Sequence, residues 1–64
     1  MDREHELWAA ASMLINRHGA EAWFHAAQRA DELFAQGDID GHATFVAILR
    51  RIEKLTSPAE GALN

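Results

Sequence analysis

The chain has 64 residues, no cysteine, and ten acidic against six basic side chains, for a formal charge of −4. That length holds one domain close to the lower limit for a self-sufficient core, and the lack of cysteine excludes disulfides, thiol nucleophiles and cysteine-based metal centres. The acidic balance weighs against nucleic acid or an anionic membrane as partner, since both draw on positive charge.

The opening Met1-Asp2-Arg3-Glu4-His5-Glu6 does not read as a secretory leader, which needs a basic start and then an apolar run. No stretch approaches the ~20 apolar residues of a membrane span. A cytoplasmic domain is the expectation.

Alanine is the commonest residue, and one proline and four glycines, at 19, 37, 41 and 61, punctuate the chain. The predicted fold is all-α, a compact three-helix bundle with short glycine-containing turns. Its helices are expected over about 3–18, 20–36 and 41–56, within one domain spanning 1–56. In the first, Leu7, Trp8, Ala11, Leu14, Ile15 and His18 recur at three- and four-residue spacing, an arc of about 120° facing a core. Asp2 can cap it, Glu4 and Glu6 suit its first turn, and Arg17 and His18 its last. Gly19 suits the left-handed position after its end.

The second helix carries a wide apolar face of Ala22, Trp23, Ala26, Ala27, Ala30, Leu33 and Phe34. Alanines in the middle allow a neighbouring helix to approach closely, with Trp23 and Phe34 filling the space at either end. No Ser, Thr, Asp or Asn is placed to cap its start, so a tight turn at His18-Gly19-Ala20 is expected to set the first two helices antiparallel.

The third helix follows Gly37-Asp38-Ile39-Asp40-Gly41. Asp38 or Asp40 is its expected N-cap, with Ile39 folding back as a hydrophobic cover. Phe45, Ile48, Leu49, Ile52 and Leu55 form its stripe, and Ala43, Ala47, Arg50, Arg51 and Lys54 lie away from it. Ser57-Pro58-Ala59-Glu60 matches a capping box, yet only four residues follow. Residues 57–64 read as a helix stop with a flexible tail, open to ordering by a partner.

Among the four histidines, Glu21 and His25 stand at i,i+4, and His18 is the nearest third ligand across the turn. A surface interaction between Glu21 and His25 explains the spacing without a metal, and no cofactor is expected. His5 reads as exposed, and His42, in a helix's first turn, as neutral with no assigned role. Ser12, Ser57, Thr44 and Thr56 have no positioned base, no phosphate-binding loop occurs, and a domain this small offers no obvious cleft. Neither catalysis nor a small-molecule substrate is expected.

The rival reading is a DNA-binding helix-turn-helix that uses Arg50, Arg51 and Lys54. Against it, recognition helices present their N-terminal residues to bases, and that end here carries Asp38, Asp40, Gly41 and Ala43. The basic residues cluster instead where they complement the helix dipole.

Glu6-Leu7-Trp8-Ala9 opening the first helix and Arg17-His18-Gly19 closing it form one group of matching elements. The others are the alanine-rich second helix, the Gly37-Asp38-x-x-Gly41 turn and the Ile48, Ile52, Leu55 stripe. On these, residues 4–55 resemble a family of short uncharacterised proteins from alphaproteobacteria, a domain of unknown function. The resemblance implies a small all-α protein and brings no catalytic residue or cofactor.

Met13, Phe24 and Val46 fall about 100° or more outside their helices' stripes. With a thin core, they point to a domain acting by protein–protein contact, as a homodimer or a small accessory subunit. In that reading Trp8 and Trp23 hold the scaffold.

Overall fold

The computed structural model describes residues 2–56; the expected stop at Ser57-Pro58 and the 57–64 tail lie outside the described residues. Asp2 opens helix α1, Arg3–His18, its carboxylate accepting the Glu4 N–H at 3.2 Å. At the other end Gly19 takes φ +58° and its N–H bonds the Ile15 carbonyl. A β-carbon is strained in that left-handed region, so glycine ends the helix there.

The chain does not enter its second helix at residue 20. It first makes a single 3-10 turn, Gly19–Glu21, and α2 runs from Ala22 to Ala35. Glu21 supplies no side-chain cap; the Ala22 N–H is satisfied by the Gly19 carbonyl within the turn. A missing cap residue is thus replaced by backbone carried over from α1.

At the end of α2, the Asp38 N–H bonds the Leu33 carbonyl at 2.8 Å and the Gly37 N–H bonds that of Phe34 at 3.0 Å. This Schellman pair needs Gly37 at φ +83°. Helix α3, Ile39–Thr56, begins at once. Asp38 is its N-cap, the side chain accepting the Gly41 N–H at 2.9 Å and the carbonyl accepting the His42 N–H at 2.9 Å.

The third helix therefore starts two residues earlier than predicted. Ile39 is its first residue and stands exposed rather than folding back as a cover. Gly41 lies inside the first turn, where a β-carbon would come within 2.5 Å of the Asp38 carboxylate. The glycine leaves room for the cap.

The core joins Leu7 and Ala11 of α1, Ala22 and Ala26 of α2, and Ile48, Leu49 and Ile52 of α3. Helix α3 is the common neighbour: α1 and α2 each pack on it more than on one another. The predicted all-α fold of three helices is what forms, and the described residues contain no strand.

Three large residues assigned to the core are exposed instead: Trp23, Phe34 and Leu55. Trp23 and Phe34 stand to the side of the line of buried alanines at 22, 26 and 30, so they lie along the flank of α3, against Glu53 and His42, and not within the core. Leu55 stands one turn past Ile52, the last core residue of α3. No helix among the described residues is long and apolar enough to cross a membrane.

Candidate functional site

Two tryptophans hold α3 to its neighbours. Trp8 donates its indole N–H to Glu4 Oε2 at 3.0 Å, and the same oxygen accepts from Arg51 Nη2 at 2.8 Å. Arg51 also donates to the Ala47 carbonyl at 2.9 Å, and its guanidinium carbon lies 5.4 Å from the Trp8 ring centre. Its side chain is only 17% exposed. The hydrogen bond from Arg51, with that from Trp8 beside it, holds the Glu4 carboxyl below its ordinary range. Arg3 adds a bond to Thr44 Oγ1 at 2.9 Å across the same seam.

On the other flank, Trp23 donates to Glu53 Oε2 at 2.8 Å, and Arg50 Nη1 pairs with Glu53 Oε1 at 3.4 Å. Arg50 is 67% exposed.

Farther along α2, His42 Nδ1 lies 2.8 Å from the Ala30 carbonyl. A carbonyl only accepts, so this nitrogen carries the proton. The His42 ring also leans on Phe34, with centroids 5.1 Å apart. The Trp23–Glu53 and Ala30–His42 contacts set α2 antiparallel to α3, and that register puts Ala27 level with residues 46–49.

Helix α1 covers one face of the α2–α3 pair. At 100° per residue the opposite face carries Phe24 from α2 and Ile39, Val46 and Arg50 from α3, with Ala27 half-buried at its edge, where it also packs against the core. Phe24 is 69% exposed and meets Trp23 edge to face, centroids 5.4 Å apart. Val46 is partly covered, not a bare residue as expected, because it sits on the flank of α3 toward α2. Met13 is exposed on α1, on the side away from Leu7 and Ala11, and stands apart from the other two. The three residues expected to form one patch are therefore divided, with Phe24 and Val46 on one face and Met13 elsewhere.

Of the basic residues offered for DNA contact, Arg50 and Lys54 are exposed while Arg51 is drawn into the seam between α1 and α3. The histidines also differ from expectation. His25 stacks on His18, rings 3.6 Å apart and inclined by 18°, and no Glu21–His25 ion pair forms. The stack borders an open groove of about 460 Å³ that Leu14 and Phe45 also line. No group of three potential metal ligands comes together among the described residues. Glu4, Glu53 and His42 were missed as contact residues; only the i,i+4 spacing of Glu4 and Trp8 was a local signal for any of them.

Residues 3–60 match a family of unknown function, DUF6961. The chain belongs to this family. The matched span takes in all three helices with the turns between them, and agrees with the resemblance to a domain of unknown function. No curated protein and no solved structure matches the chain.

Proposed function

We propose that this chain is a non-enzymatic interaction or accessory domain, and that it associates with itself through the face of α2 and α3 that α1 leaves open. The observation that carries the reading is Phe24, an aromatic side chain 69% exposed and braced edge-on by Trp23. Exposed aromatic surface of this kind is favoured where a partner will cover it. The polar clusters support the same reading, because Trp8–Glu4–Arg51 and Trp23–Glu53–Arg50 join helices and do not converge on a cleft. A cytoplasmic setting fits a chain without cysteine.

Sedimentation equilibrium at high micromolar concentration tests the proposal. A monomer–dimer equilibrium shifted to monomer by Phe24→Asp is expected, and a folded monomer unaffected by that substitution overturns it. DNA contact through Arg50 and Lys54 is the competing function. Retention on duplex DNA at about 50 mM salt, lost in Arg50→Ala/Lys54→Ala, would favour it instead.

A further inference from the structure

Resting on that self-association, we infer that the partner on this face is a second copy whose α2 lies antiparallel across the first, with Asp31 of each copy reaching Arg50 of the other. The first support is spacing. From the turn into α2, residues Ala20, Phe24, Ala27, Asp31 and Phe34 recur at alternating intervals of four and three. That is the interval at which two helices pack side by side along a seam. The core residues Ala22, Ala26 and Ala30 face the other way, so this is a second seam on the same helix, bordering the core at the half-buried Ala27.

The second support is size. A two-fold axis near Ala27 sets Phe34 of one copy against Ala20 of the other, large against small, with alanine at the crossing. Ile39, exposed at the Phe34 end of the face, extends the apolar surface.

The third support is charge. Asp31 is the one acidic break in the seam, and it has no ion-pair partner among the described residues. Arg50 is 67% exposed and held only by a 3.4 Å contact to Glu53. The α2–α3 register puts Arg50 level with residues 23–26. The antiparallel crossing at Ala27 puts the second copy's Asp31 level with Phe24, beside Arg50, and symmetry repeats the pair. A parallel arrangement would set Asp31 against Asp31, and like charges repel.

Trp23, Phe24, Phe34 and Ile39 together expose roughly 400 Å² of side chain per copy, about half of the ~800 Å² per partner found in stable complexes. The expected dimer is therefore weak, populated at high micromolar concentration.

Charge reversal tests the arrangement. Sedimentation equilibrium is run from about 10 µM to 1 mM on the full chain, on Asp31→Arg, on Arg50→Glu, on their equimolar mixture, and on the double variant. Circular dichroism checks that each is helical, and Asp31→Asn and Arg50→Gln replace any reversal that fails to fold. Each single reversal is expected to weaken dimerisation by about tenfold or more, and the neutral variants by a few-fold. The mixture and the double variant restore it, because both regain two opposite-charge pairs. A wild-type dimer that single reversals leave unchanged, or that neither combination restores, overturns this geometry and leaves self-association standing. A wild-type chain that remains monomeric at about 1 mM overturns both.

Discussion

The Trp8–Glu4–Arg51 and Trp23–Glu53–Arg50 clusters use the same three residue types and differ in what surrounds them. In the first, the arginine is 17% exposed, lies over an indole and is committed to both a carboxylate and a backbone carbonyl. In the second, the arginine is 67% exposed and its single carboxylate contact is longer, at 3.4 Å. Glu4 is itself 58% exposed, so the difference lies in the arginine: Arg51 packs its stem and guanidinium against the protein, whereas the attraction of a solvated arginine is screened and offset by side-chain entropy. One cluster is a lock between α1 and α3; the other fastens α2 but leaves its arginine available to an outside partner.

The largest effect belongs to the residue between them. Ile52 is 1% exposed and packs in the core beside Arg51 and Glu53. Ile52→Ala is expected to cost about 3 kcal/mol in denaturant unfolding and to loosen both clusters together. The arginines then separate them. Arg51→Ala should cost about 2 kcal/mol through lost hydrogen bonds and stacking, whereas Arg50→Ala should change monomer stability by less than about 0.5 kcal/mol. Equal losses would break the distinction.

The smallest effect depends on pH. Glu4 is held below its ordinary range in the folded chain, first by Arg51 and then by Trp8. Its contribution is therefore complete above the ordinary glutamate pKa and lost as pH falls through the lowered folded value. Glu4→Gln should be less stable than the parent at neutral pH, with the difference closing in strong acid. A difference that persists there would assign the loss to something other than the charge.

Local chemistry made the helices legible. Asp2 and Gly19 bound α1 where predicted, because a cap and a left-handed glycine act through neighbouring backbone. The start of α3 was misread by two residues, since Asp38 and Asp40 offer the same side chain and only the preceding Schellman bonds decide between them. Burial was harder to read. Periodicity puts Trp23 and Phe34 on an apolar face but carries no information on which part of that face α3 will cover.

The contacts that organise the site were hardest of all. Arg51 meets Glu4 from 47 positions away and His42 meets Ala30 from 12, and no local pattern marks such pairs. Phe24 was legible as an outward residue because it lies opposite the three buried alanines of its own helix.

Asp38 belongs to two helices at once: its N–H ends α2 and its carboxylate begins α3. The pair therefore shares a residue in place of a slack linker, and closing so short a loop costs little chain entropy. The two helices so joined also pack on each other more extensively than either packs on α1, which meets them through the turn at Gly19. The Phe24–Val46 face lies wholly on α2 and α3, so the residue that fixes how these two helices meet also fixes the shape of that face.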